Sequence, residues 1–323
     1  MISTIAILPE IQKGIDAVEQ LMRIQADEYA DDLKSALSAL LSSGGKRIRP
    51  RIILLLGNIL HADYETLITL ASSIELLHTA TLVHDDLIDG ALLRRGVPTL
   101  NSKWSAAATV LSGDFIFASA AFLAAKTNSI EVMKIFSSTL MTIVNGEVNQ
   151  LFDSHCNINK DDYYRRIYAK TASLFETSTH TTAIISDTTS DQKEKLRKFG
   201  YELGMAFQIV DDVLDYSGEQ EVVGKPVGGD LRQGLVTLPL LYYIDSYPQD
   251  KDLTELLKGE CIHDETTIDR LIQSIAASSA IEQSLSEAEK FAQRALSMIS
   301  DLPDSPLKEE LVQLTESSVM RKN

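Results

Sequence analysis

Ile74-Glu75-Leu76-Leu77-His78-Thr79-Ala80-Thr81-Leu82-Val83-His84-Asp85-Asp86-Leu87-Ile88-Asp89 carries the periodicity of a helix with an unusual face. At about 100° per residue, His78, Thr81, Asp85 and Asp89 fall on one stripe, while Ile74, Leu77, Leu82 and Ile88 supply apolar surface elsewhere. Carboxylates one turn apart repel, and the cost grows when they are shielded from water. The stripe therefore calls for a cation. An oxygen-only donor set without Cys or paired His favours Mg²⁺, which binds one or two carboxylates and fills its octahedron with water and phosphate oxygens. Taken alone, the stretch also fits a solvated acidic helix end.

A second stretch repeats the spacing. In Gly204-Met205-Ala206-Phe207-Gln208-Ile209-Val210-Asp211-Asp212-Val213-Leu214-Asp215, the residues Gln208, Asp211 and Asp215 share a face with Gly200 and Gly204. The opposite face carries Phe199, Leu203, Phe207, Val210 and Leu214, an apolar seam for a core. Two amphipathic helices thus each present three aspartates, Asp85, Asp86 and Asp89 on one and Asp211, Asp212 and Asp215 on the other.

These stretches stand in a series: Gly44-Gly45-Lys46-Arg47-Ile48-Arg49-Pro50, the first aspartate triad, Arg94-Arg95-Gly96, Gly146-Glu147 with Gln150, Lys170-Thr171, the second triad, then Gly224-Lys225-Pro226 and Gly229-Asp230-Leu231. In this order they resemble the trans-polyprenyl diphosphate synthases of the medium- to long-chain bacterial kind. Within that family the chain resembles the catalytic subunits of Gram-positive heptaprenyl or hexaprenyl diphosphate synthases. The resemblance spans nearly the whole chain and implies one all-α domain over residues 1–323, the isoprenoid synthase fold, with helices around a central cavity. It also implies a cytoplasmic prenyltransferase that extends an allylic diphosphate such as farnesyl diphosphate with successive isopentenyl diphosphates, for the menaquinone side chain. A short-chain farnesyl or geranylgeranyl synthase is the alternative within the family.

Residue by residue, the resemblance gives Lys46, Arg49, His78 and Arg95 to isopentenyl diphosphate, bound without metal. It gives Arg94, Lys170, Thr171, Gln208 and Lys225 to the allylic diphosphate. Asp85, Asp89, Asp211 and Asp215 would hold Mg²⁺, three ions per site, and all six aspartates with Lys170 would serve catalysis. Charge-assisted contacts suit these cations, since Arg forks and Lys point charges hold phosphate oxygens and glycines allow close backbone approach. Many relatives carry a Lys where this chain has Leu235, which removes one expected cation: either the site's electrostatics are weaker, or a partner or Arg232 compensates. The implied reaction is ionisation of the allylic diphosphate, attack by the isopentenyl double bond, and loss of a proton, in a cavity kept dry because water would quench the cation. A tail growing from the first aspartates would run back past Thr81 and Ala80, which are small, so the product is expected to be hexaprenyl to octaprenyl, centred on heptaprenyl.

Composition fits this reading. The 323 residues can bury a sizeable core, with 44% hydrophobic and 24% charged residues. A net charge of −16 argues against nucleic acid or an anionic membrane as the main partner. Met1 to Pro9 lacks the form of a signal peptide, and the longest greasy run, Ile52 to Leu56, is too short to span a bilayer. Cys156 and Cys261 are far apart without a metal-type spacing, so reduced, incidental thiols are expected.

Apolar periodicity predicts helices over about 11–41, 51–60, 65–89, 104–127, 130–152, 161–186, 191–217 and 237–245, then shorter ones, with β-type alternation nearly absent. Ser173 to Thr182, rich in small hydroxyl side chains, fits either close helix packing or a cavity wall. Ser217 to Val236, Gly-rich and just after the second triad, reads as a lid. The family forms dimers, and some of its members pair with a small non-homologous subunit, so a homodimer or such a heterodimer is expected. A terpene cyclase would not need the Gly-Gly-Lys turn, a non-catalytic subunit would have lost aspartates, and a structural cation binder would not turn over substrate.

Overall fold

Helix follows apolar periodicity along the chain, as expected. The computed structural model describes residues 7–42, 44–94, 96–152, 156–216 and 227–319. Its helices are α1 (Pro9–Arg23), α2 (Asp31–Ser42), α3 (Ile48–Ile59), α4 (Tyr64–Ile88), α5 (Ala106–Lys126), α6 (Ile130–Phe152), α7 (Lys160–Ile167), α8 (Ser173–Ile185), α9 (Ser190–Leu214), α10 (Gly229–Arg232), α11 (Leu238–Ser246), α12 (Glu265–Ala276), α13 (Ala280–Met298) and α14 (Pro306–Val319). A hairpin of two-residue strands, β1 (Leu93–Arg94) and β2 (Val97–Pro98), pairs Arg94 with Val97 around Gly96 at φ 76°.

Two expected helices are interrupted. The first breaks after Arg23 into a 3-10 turn, and α2 restarts with Asp31 and Asp32 in its first turn, where acidic residues complement the helix dipole. The segment expected as 161–186 contains a π-helical turn, Tyr168–Ala172, between α7 and α8. A π turn widens the backbone by one residue and is enriched at functional sites. This one carries Lys170 and Thr171.

The interior forms two apolar clusters. Buried side chains of α1, α3, α4, α5 and α8 make the first, with Phe199 and Leu203 from α9. Met205, Ala206, Ile209 and Val210 of the same helix belong to the second, with α11, α12 and α13. α9 thus runs through both and fixes the second aspartate triad relative to the first cluster. Gly200 and Gly204, grouped in sequence with a polar stripe, are contact points instead. A Cβ on Gly200 would run into Thr179 and the Phe175 carbonyl, and one on Gly204 into Ala172. Most of the α8 hydroxyls serve the same close packing. Ser178 donates to the Leu174 carbonyl at 2.6 Å, Thr181 to Thr177 at 2.6 Å and Thr182 to Ser178 at 2.7 Å. Ser173 and Thr177, however, line a cavity of 170 Å³ against α6.

Among the described residues, α4 and α5 are both long and apolar enough to cross a membrane by length and composition, although no continuous greasy run reveals it. Ala, Ser and Thr dilute their larger apolar residues; α4 is mostly buried inside the protein, whereas only a third of the apolar window of α5 is. One sequence expectation is corrected, that of the two thiols. Cys156 and Cys261 are joined in a disulfide with Cα atoms 5.3 Å apart, across 105 residues. Folding brings the connection after α6 beside the segment before α12, a proximity that spacing in sequence cannot show. The bond closes a long loop, so its reduction is expected to lower stability by about 2–4 kcal/mol. Urea unfolding with and without dithiothreitol, alongside a Cys156→Ser/Cys261→Ser variant insensitive to the reductant, measures this; equal midpoints for oxidised and reduced protein would contradict it.

Candidate active site

The Gly44–Arg49 turn is set by Arg47, whose backbone sits in the left-handed region at φ 45°. Its guanidinium reaches inward to Glu19 at 2.8 Å, Glu75 at 3.0 Å and the Leu41 carbonyl at 3.1 Å. The middle cation of the motif is therefore an anchor, and its neighbours Lys46 and Arg49 face a cavity. Arg49 stacks on Phe175 with its Cζ 4.6 Å from the ring centre. Burial drops its pKa to about 10 against the pull of Glu75, and its Nε has no hydrogen-bond partner among the described residues. A buried donor on a cation without an acceptor is costly unless an anion meets it.

That cavity measures 580 Å³. Lys46, Arg49 and His78 line one part; Asp86, Arg94, Thr171, Gln208 and Asp211 line another, with Phe175 and Phe207 between. Phe207, read from sequence as part of the apolar seam, is half-exposed here and belongs to this wall. Arg95 and Lys225 lie outside the described residues, as do positions 217–226 of the expected lid.

The two triads are used unequally. Asp86 is buried and gripped by Arg94, whose Nε lies 2.9 Å from both carboxylate oxygens. Asp212 is 4% exposed and accepts from the Tyr163 hydroxyl at 2.7 Å and the Gln208 amide at 2.8 Å. Burial pushes its pKa well up, with Asp230 adding to the shift. The middle aspartate of each triad is thus held by protein donors. Asp89 and Asp211 are exposed, and Asp85 is half-buried. Asp215 takes the Gly229 and Asp230 amides at 3.1 and 3.0 Å and so caps α10. Asp230 in turn is pushed up to about 7, by burial and then by Asp215. Among the described residues, no three acidic, His or Cys side chains converge enough to hold a metal by themselves.

Lys170 pairs with Glu147 of α6 at 3.1 Å. Thr171 donates to Gln208 at 2.6 Å. Glu147 and Tyr163 carried no role in the sequence reading. Glu147 was visible within Gly146-Glu147, but Tyr163 had no signal beyond a place early in the expected helix. Arg232, expected to replace the missing cation at Leu235, is instead paired with Glu265 and Asp269 of α12. Leu235 is 8% exposed, an apolar position in this chain. Neither Ala80 nor Thr81 lines the cavity; Ala80 is buried in the first cluster, and Thr81 bonds back to the His78 carbonyl at 2.8 Å.

The polyprenyl synthetase family pattern matches residues 30–275. Heptaprenyl diphosphate synthase component 2 of Bacillus subtilis (strain 168) is 35% identical over 313 residues, 97% of this chain and 89% of that protein. The crystal structure of heptaprenyl diphosphate synthase from Staphylococcus aureus superposes with a TM-score of 0.88 at 34% identity, covering 97% of this chain and 99% of that one. The polyprenyl synthase of Caulobacter crescentus CB15, complexed with calcium and isoprenyl diphosphate, gives a TM-score of 0.87 at 34% identity, covering 97% and 96%.

Asp85 is pushed up to about 6 by burial, against Lys170 and with Glu147 and Asp89 adding to the rise. Folding therefore takes up a proton at this carboxyl. Its contribution to stability is complete below about pH 4 and is lost as pH rises through about 6, on the order of 2 kcal/mol. Urea midpoints of the EDTA-treated protein between pH 4 and 7 are expected to show this fall, and Asp85→Asn to flatten it; superimposable curves for the two proteins would contradict the assignment.

Proposed function

The chain belongs to the polyprenyl synthetase family and is a medium- to long-chain trans-prenyl diphosphate synthase, and from that premise we propose how its residues divide the work. Lys46, Arg49 and His78, with Arg95, hold the diphosphate of isopentenyl diphosphate. Arg94, Lys170, Thr171, Gln208 and Lys225 hold the allylic diphosphate. The observation that carries this reading is the 580 Å³ cavity walled by the cationic Gly44–Arg49 turn on one side and by the aspartate helices on the other, with the unpartnered Arg49 Nε buried at the cationic end.

The donor set fits Mg²⁺. Asp85, Asp89 and Asp211 offer carboxylate oxygens only, and Asp215 keeps lone pairs beyond those that cap α10. Because no three of these groups converge, the coordination would be completed by diphosphate oxygens and water, the habit of Mg²⁺. We propose three ions per site, supplying neutralisation of the departing diphosphate as Lewis acids. The carboxylate of Glu147 holds Lys170 beside the aspartates, so its ammonium is aimed before substrate arrives. Phe175 and Phe207 give an apolar wall where a carbocation would otherwise meet water.

We further propose that residues 1–323 act as one domain, since α9 belongs to both apolar clusters. We propose a cytoplasmic location, with the menaquinone side chain as the destination of the product. The Bacillus subtilis relative is named component 2 of its synthase. For this chain, a homodimer or pairing with a small accessory subunit is supported by apolar side chains exposed along α5 and α6, among them Leu111, Met141, Val144 and Phe152.

The division of substrates is tested by kinetics with farnesyl diphosphate and isopentenyl diphosphate. Arg49→Ala is expected to raise the KM for isopentenyl diphosphate about ten- to a hundredfold and Lys170→Ala to do so for the allylic substrate, each sparing the other; equal effects would overturn the assignment. Product length is tested by Ala80→Phe. If the tail passes this level of α4, the product shortens to farnesyl or geranylgeranyl size, while overpacking costs about 1–3 kcal/mol of stability. A folded variant still making the wild-type length places the tail elsewhere.

A further inference from the structure

The segment that carries Lys170 and Thr171 is clipped to α9 at two points. At one, the Tyr163 hydroxyl of α7 donates to Asp212 Oδ2 at 2.7 Å. At the other, the Thr171 hydroxyl of the π turn donates to Gln208 Oε1 at 2.6 Å. Gln208 and Asp212 are one turn apart on α9, and a third bond ties them, Gln208 Nε2 to Asp212 Oδ1 at 2.8 Å. Two rungs and one upright thus connect α7 and the π turn to the helix of the second triad.

The order of donors fixes the orientation of each group. Gln208 turns its NH₂ toward Asp212 and its carbonyl toward Thr171, so Asp212 accepts from Gln208 on Oδ1 and from Tyr163 on Oδ2. The Thr171 proton is thereby committed to Gln208, which leaves the second Gln208 N–H as the donor available to an anion entering the cavity that both residues line. Tyr163 secures the far end. Its ring is 1% exposed, so its rotamer is set by packing, and it meets the Asp212 oxygen that Gln208 does not use. Without that hydroxyl, a buried carboxylate oxygen would lose its donor, and Asp212 would gain freedom to rotate away from Gln208.

We infer that Tyr163 is a positioning residue for prenyl transfer: it holds Asp212, and through Asp212 it orients Gln208, steadied from the other side by Thr171, with its remaining N–H toward the allylic diphosphate. The inference rests on the assignment of Thr171 and Gln208 to that substrate. It makes Asp212 a hub of the scaffold, distinct from the exposed Asp211 beside it.

The test is Tyr163→Phe, which keeps the buried ring and removes only the hydroxyl. The full-length variant is expected to bind an unreactive farnesyl thiodiphosphate about tenfold more weakly by calorimetry in the presence of Mg²⁺, and to show a similar rise in the allylic KM. The KM for isopentenyl diphosphate is expected to change less than twofold. Asp212→Asn is expected to give the same pattern, and the double variant no further loss, because both changes cut one chain. Wild-type analogue binding and allylic KM in a folded Tyr163→Phe protein would overturn the inference, as would additive losses in the double variant. If Tyr163→Phe does not fold, Gln208→Met cuts the chain at its middle, and a wild-type allylic KM there overturns the inference equally. A wild-type enzyme that binds no allylic analogue would instead overturn the substrate assignment beneath it.

Discussion

Like charge held at short range on packed helices is the constraint from which the rest of this structure follows. Asp85, Asp86 and Asp89 end α4, and Asp211, Asp212 and Asp215 end α9. Six carboxylates at the ends of two helices cannot all face one space without strong repulsion. The fold resolves this by dividing them. Asp86 is neutralised by the fork of Arg94, and Asp212 is taken into the interior among neutral donors. Asp215 spends its oxygens partly on the amides that start α10. What remains toward the cavity is a smaller set of oxygen donors, with the Lys170–Glu147 pair beside it.

The cationic side shows the complementary economy. Of the three positive residues in the Gly44–Arg49 turn, Arg47 satisfies Glu19 and Glu75 and thereby fixes the backbone. Arg49 is left buried against Phe175 with an orphan Nε. An arginine so placed costs free energy in the protein alone and is worth keeping only if an anion repays it on binding. Charge deficit at one end of the cavity and charge excess at the other therefore express the same arrangement, a site whose electrostatics are completed by ligands.

Rigid packing makes that arrangement hold. Gly200 and Gly204 let α9 lie directly on α8 and the π turn, and Ser178, Thr181 and Thr182 of α8 return their hydrogen bonds to their own helix instead of competing for partners. The π turn then offsets Lys170 and Thr171 from the register a continuous α-helix would give them. α9, sharing both apolar clusters, is the beam on which the second triad is mounted.

The sequence by itself determined the all-α class and the two aspartate helices, because these depend on local periodicity and on residue chemistry, while the cavity cations were picked out by the family resemblance their motifs carry. Lys46, Arg49 and His78 could be named before any coordinates, and they do line one cavity with Gln208, Thr171 and Asp211. Tertiary structure alone decided which member of each charged group does which work. Asp85 and Asp86 are neighbours in sequence, yet Asp86 lines the cavity locked to Arg94 while Asp85 lies by the Lys170–Glu147 pair, since adjacent residues on a helix point about 100° apart and only packing says what each direction meets. The break in the first helix and the π turn were hidden because apolar periodicity continues across both. The Cys156–Cys261 bond and the Tyr163–Asp212 contact join residues 105 and 49 positions apart. Contacts of that span leave no local pattern; they exist only once the helices have packed.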